Sequence, residues 1–187
     1  QDAGGVRIAE LDARTERAID RGLRYLAAAQ HADGSWGGSY KCANTSVALM
    51  AFMLKGYFPD KGEHGEKLDK AVGFLLQRIK DGGGYVGGNM YEQGLTTLAL
   101  SEAWGMSRRR EIRDALKKAV EVILRAQSRS GGWRYHPKPL DADISVTVMQ
   151  IVALASAREA GIYVPDSVIE KAKTYVKGLQ HSSGGFG

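Results

Sequence analysis

The sequence predicts an all-α fold in which half-buried and fully buried helices alternate. Three observations carry that reading. Four segments share one pattern, the helices between them are of a different and almost wholly apolar kind, and the glycine excess falls where helices end. A chain of 187 residues suits one domain with a real core, and 43% hydrophobic with 25% charged residues is a globular rather than a disordered balance. Cys42 is the single cysteine, which excludes an internal disulfide framework and an all-cysteine zinc site. The 24 glycines come with only four prolines and no Gly-X-Y period, so they mark neither a linker nor collagen.

The repeated segments are Ala18 to Trp36, Leu68 to Tyr85, Leu116 to Trp133 and Ile169 to Phe186. In three of them a glutamine precedes an aromatic residue by six positions: Gln30 and Trp36, Gln127 and Trp133, Gln180 and Phe186. In the second, Ile79 takes the glutamine place before Tyr85. Each segment begins as an amphipathic helix. Ile19, Leu23 and Leu26 share one face of the first, while Arg17, Asp20, Arg21 and Arg24 take the other. Gly34, Gly82 to Gly84, Gly131 with Gly132, and Gly184 with Gly185 then stop the helices. The intervening runs, Asn44 to Gly56, Tyr91 to Gly105 and Asp143 to Gly161, include two that are apolar nearly all round, which predicts burial on every side. Asn44 is expected to cap the first of these, Asp143 the third, and Ser107 the amphipathic helix after Gly105. Seven helices result, near 13–29, 44–56, 66–80, 91–105, 108–127, 143–160 and 166–180. Amphipathic helices outside and apolar helices inside make two concentric layers, an α/α-toroid. The units fall near 14–65, 66–107, 108–165 and 166–187, after an N-terminal tail of 1–13.

The Gln-x5-Trp/Phe signature resembles the QW motif of squalene–hopene and oxidosqualene cyclases, shared with the prenyltransferase/squalene-oxidase repeat proteins. The stretches LLQRIKDGGGYVGGNMYEQGLTTLALSEAWG and AQSRSGGWRYHPKPLDADISVTVMQIVALASAREAG look most like the bacterial repeat proteins of that superfamily. The resemblance covers residues 14 to 187 and implies the toroid fold. It gives Gln30, Trp36, Tyr85, Gln127, Trp133, Gln180 and Phe186 a structural role, tying neighbouring repeats through the glutamine amide and the ring. A closed toroid of six such repeats takes roughly 300 residues, so about three and a half are expected to form a partial ring whose open edges are covered by further repeats or by self-association.

Three activities of that fold leave testable traces. A squalene-type cyclase protonates an alkene through an Asp-x-Asp-Asp motif; the matching place reads Asp141-Ala142-Asp143-Ile144, so Asp143 would be the general acid and Asp141 its companion. Ile144 stands where that motif has its last aspartate. A zinc prenyltransferase needs a cysteine where Asp143 stands, so no metal is expected. A thioester domain needs Cys-Gly-Glu-Gln where this chain has Cys42-Ala43-Asn44. Phe52 and Trp104, with Tyr57 and Tyr91, are few aromatics for polycyclisation, which uses ring faces to stabilise cations. His31 and His181 follow the motif glutamines and read as part of the repeat.

The starts of the inner helices should open on one end of the ring, gathering Lys41, Asn44, Tyr91, Glu92, His136, Asp141 and Asp143 around an apolar interior with Phe52 and Trp104. Three readings remain open: a receptor for an isoprenoid or other apolar ligand, a squalene-type cyclase acting through Asp143, and a structural or protein-interaction scaffold. No cofactor is implied. The net charge of +5 is scattered, and Arg108 to Arg110 sits at a helix start with Glu111 and Asp114 behind it, so no nucleic-acid partner is expected. The longest apolar run, Val47 to Leu54, is far short of the ~20 residues of a membrane span. The chain starts at Gln1 without an apolar leader, which is compatible with export after signal removal and leaves the compartment open.

Overall fold

The computed structural model describes residues 11–186, so the expected tail over residues 1–10 and the terminal Gly187 lie outside the described residues. Seven α-helices form among them: α1 (Ala13–Ala29), α2 (Lys41–Leu54), α3 (Gly65–Asp81), α4 (Met90–Ser107), α5 (Arg110–Arg125), α6 (Ile144–Glu159) and α7 (Asp166–Gly178). The described residues contain only isolated β-bridges, so the fold is all-α. The apolar helices α2, α4 and α6 pack side by side with α4 in the middle. The amphipathic helices α3 and α5 back them and touch each other, α1 leans on α2, and α7 on α6. Leu68, Leu75, Ile112, Leu116 and Ile123 are the apolar positions of α3 and α5 that fill the space between the two layers.

The loops joining outer to inner helices repeat one set of hydrogen bonds. The Gln30 amide donates to the carbonyl of Gly34 in its own loop (3.0 Å) and to that of Lys67 in the first turn of α3 (2.8 Å). Gln127 does the same to Gly131 (2.8 Å) and to Val168 of α7 (2.9 Å). Each motif tryptophan donates its indole N–H back to the preceding helix, Trp36 to Leu26 and Trp133 to Ile123, both at 2.7 Å. The Trp36 and Trp133 backbone N–H groups donate to Thr45 (3.1 Å) and Thr147 (2.9 Å) of the next inner helix. Gly131 shows why glycine is needed. Its φ is +97°, and a Cβ there would lie 2.4 Å from the Lys171 carbonyl oxygen. Gly34 meets Lys70 and Gly84 meets Lys118 in the same way.

That register corrects the expected pairing of the second repeat. Counting two residues beyond Gly84 gives Val86, as two beyond Gly34 and Gly131 give the tryptophans. Val86 is buried and its N–H donates to Gln93 of the next inner helix. Tyr85, the aromatic residue that spacing selects, lies one position earlier and is half-buried. Gln180 and Phe186 are paired across a β-bridge but both are exposed.

Three further expectations change. Asn44 does not cap α2, which starts three residues earlier at Lys41; the Asn44 amide instead donates back to the Ser39 carbonyl (2.8 Å). Ser107 does not cap α5. It is the last residue of α4 and donates to Ala103 (2.8 Å), and α5 starts after Arg109 with no side-chain cap. The apolar helices are not buried on every side. Leu54 is 90% exposed, Val47 51%, Val148 47% and Val152 44%.

Candidate functional site

Exposed and partly buried positions of the inner helices fall in stripes. On α2 they are Asn44, Val47, Met50, Ala51 and Leu54; on α4, Tyr91, Leu95, Leu98, Glu102 and Met106; on α6, Ser145, Val148, Ile151, Val152 and Ala155. Steps of three and four residues keep each stripe on one side of its helix. Because α2, α4 and α6 lie side by side with the outer layer behind them, the stripes share the side turned away from that layer and are mostly apolar, with Asn44, Tyr91, Glu102 and Ser145 as their polar members.

Two hollows mark its ends. At the helix starts, Tyr40, Asn44, Asn89, Tyr91, Glu92 and Tyr135 line a hollow of ≈ 550 Å³. At the other end of the α2–α4 seam, Met50, Met53, Leu54, Leu98, Glu102 and Met106 line an apolar groove of ≈ 430 Å³. From Tyr91 to Glu102 along α4 the separation is about 16 Å at the helical rise. The first end is polar: the Tyr91 hydroxyl and Ser145 hydroxyl are 2.5 Å apart, and the Tyr91 and Tyr135 rings are 6.0 Å apart.

The two aspartates meet beside this polar end. Asp143 caps α6, its Oδ1 accepting from the Val146 N–H (3.0 Å) and the Ser145 hydroxyl (2.5 Å). Its Oδ2 lies 3.9 Å from the Arg134 guanidinium, which also lies 3.6 Å from Asp141. The Ser145 hydroxyl, then the Val146 N–H, hold the Asp143 carboxyl below the usual carboxylate range, with Arg134 adding to the effect. At neutral pH it is therefore an anion carrying a helix cap. Arg134 also rests over the Tyr135 ring, 5.0 Å from its centroid.

The other expected residues scatter. Phe52 is fully buried against the outer-layer side, its ring beside Trp36, Tyr57 and His64, so no ligand on the bare face can touch it. Trp104 is half-buried and its N–H donates to the Ala160 carbonyl (3.0 Å), fastening α4 to the end of α6. Glu92 is buried and accepts from the Cys42 (3.1 Å) and Ala43 (3.3 Å) N–H groups, capping α2 from the neighbouring helix. That carboxylate replaces the cap α2 lacks in its own sequence and favours the positive helix end. Burial, then the Glu92 charge, pushes the Cys42 thiol up, away from reactivity. Lys41 pairs with Asp33 at 3.2 Å. His136 is exposed, and the described residues hold no group of three His, Cys, Asp or Glu side chains fit for a metal ion. Sequence reasoning passes over Arg134, Tyr135 and Ser145, which bring Asp141, Asp143 and Tyr91 into one cluster. The Arg-Tyr pair directly after Trp133 is its only written sign.

No protein-family model matches the chain. One similar protein is lanosterol synthase erg7A of Aspergillus fumigatus, 26% identical over 126 residues, a stretch that takes in 62% of this chain and 17% of that protein. The chain therefore spans about a sixth of the length of the relative it matches, and the likeness supports a terpene cyclase-like relationship and nothing finer. Among the described residues no helix is long and apolar enough to cross a membrane.

Proposed function

We propose that this chain is a terpenoid-cyclase/prenyltransferase-like repeat protein that binds an isoprenoid or similar apolar chain along the bare face of α2, α4 and α6. The observation that carries it is the set of exposed apolar side chains Val47, Leu54, Val148 and Val152 on one side of the inner helices, with the partly buried Leu98 between them and the hydroxyls of Tyr91 and Ser145 at one end. An apolar surface with a few convergent polar groups at its mouth suits a ligand with a hydrocarbon body and one polar end. In this reading the two helical layers are an arc of an α/α-toroid, its units near 14–65, 66–107, 108–165 and 166–187, and the bare face lines the interior. The partial likeness to a lanosterol synthase supports the terpene cyclase-like relation from which this reading starts.

Alkene protonation by Asp143 is the weaker reading. A general acid must hold its proton at working pH, and both the cap hydrogen bonds and Arg134 favour the ionised form of Asp143. Binding is tested by titrating the protein with dansyl-labelled farnesol. Saturable binding is expected in the wild type. Val148→Asp should weaken it about tenfold, since a charge on the face must be desolvated by the bound chain. Because Val148 is half exposed, the melting temperature should hold. Absent binding in the wild type, or equal binding by the variant, overturns the proposal. Gas chromatography after incubation with squalene tests turnover: products that vanish in Asp143→Asn would restore the cyclase reading.

A further inference from the structure

We infer that the outer face of α1 is a docking surface for an acidic segment of another protein, read by a row of four arginines. Arg14, Arg17, Arg21 and Arg24 are all exposed, and their steps of three, four and three residues line them up along one flank of α1, beside the stripe that holds the buried Leu23 and Ala27. The row spans about 15 Å. Among the described residues none of the four has a carboxylate within 4.0 Å. The acidic residues of the same helix are spent elsewhere: Glu16 and Asp20 both turn to Lys55 at the end of α2.

The other outer helices behave differently. On α3 Lys70 pairs with Glu66, on α5 Arg110 with Asp114 and Arg125 with Glu121, and on α7 Lys173 with Glu170. Each of those helices forms at least one ion pair of its own at i,i+3 or i,i+4 spacing, and among the described residues α1 forms none. On α1 the same spacing sets like charges against each other, which weakens the helix that carries them. A carboxylate-bearing partner relieves that repulsion, and four forked guanidiniums suit carboxylates laid along a helix or an extended chain. An anionic membrane fits less well. The apolar side of α1 faces α2, and an interfacial helix needs that side free to enter lipid. Single-stranded nucleic acid fits less well too, because Tyr25 is the aromatic residue beside the row and stacking platforms use a succession of them.

The test is fluorescence anisotropy of a labelled ten-residue glutamate peptide with the full chain, at low and at physiological salt. The peptide should bind, and binding should weaken with salt. Arg17→Glu with Arg21→Glu should weaken it roughly tenfold or more. Lys117→Glu with Lys118→Glu, the same change in net charge placed on exposed positions of α5, should leave it nearly unchanged. Arg17→Gln with Arg21→Gln, which adds no repulsion, should fall between. Failure of the wild type to bind, or equal losses for the α1 and α5 variants, overturns the inference. So does tighter binding of anionic vesicles or of an RNA oligomer that is lost in the α1 variant alone.

Discussion

At the scale of single residues, the same side chain does different work depending on what stands beyond it. Gln30 and Gln127 each hold their own loop and the first turn of the following outer helix, and Gln180, in the same motif, is exposed. Gln127→Ala should therefore cost about 1–2 kcal/mol, the penalty of leaving the Gly131 carbonyl without its donor. Gln180→Ala should cost much less, and thermal melts of the two variants make the comparison. Asp33 offers a pH signature. Hydrogen bonds from the Ser35 hydroxyl and N–H, with Lys41 nearby, lower its pKa to about 2. A carboxyl whose pKa is lowered on folding stabilises above its unfolded value and loses that contribution as pH falls through the folded one. Stability should thus decline between about pH 4 and pH 2, and Asp33→Asn should flatten the decline in urea titrations. Asp143, also shifted down, contributes with the same sign. The asparagine cap expected at Asn44 could not be judged from sequence, because the true cap, Glu92, lies 50 positions beyond the Cys42 N–H that it accepts from.

At the scale of elements, Gln93 stands in α4 where Thr45 stands in α2 and Thr147 in α6. It does more than either. Its carbonyl accepts from the Val86 N–H (3.0 Å), and its amide donates to the carbonyls of Gly84 (3.0 Å) and Ala119 (3.1 Å). The second repeat lacks a motif glutamine in its outer-helix loop, and a glutamine on the inner helix ties that loop to α5 instead. Gln93→Leu should cost about 2–4 kcal/mol, since it leaves a buried N–H and a buried carbonyl unpaired. Thr147→Val, which removes one acceptor from Trp133, should cost about 1 kcal/mol. Chemical denaturation of both checks the ranking. The helices themselves are legible in the sequence because amphipathic periodicity and glycine stops act locally. The register of the second loop is not, because aromatic spacing points to Tyr85 and only the packing of Gly84 on Lys118 selects Val86. Inner-helix packing shows a similar long-range dependence. Gly94 lets α4 approach α6 so closely that a Cβ there would sit 2.8 Å from the Met149 side chain and 3.0 Å from the Gln150 amide. Nothing local distinguishes Gly94 from a weak point in a helix. Its reason is the neighbour.

At the scale of the whole molecule, the alternation of helix types sorts the chain into two layers, and that sorting leaves one side of the inner layer bare. An apolar helix announces that it avoids water without saying whether protein or ligand will cover each side, so its sequence overstates the burial of Val47, Leu54 and Val148. For the same reason Phe52 and Trp104, chosen as aromatic and inner, turn out to serve the core and the α4–α6 joint. Tyr91, Asp141 and Asp143 do converge, through Arg134 and Ser145, at the polar end of the bare face. Whether this face receives an apolar chain can be read out by photocrosslinking with a benzophenone-tagged farnesyl ligand, followed by peptide mass spectrometry. Labels are expected on Val47, Leu98, Val148 and Val152. Labels confined to outer-helix residues, or spread evenly over the surface, would mean that the bare face is not the binding surface.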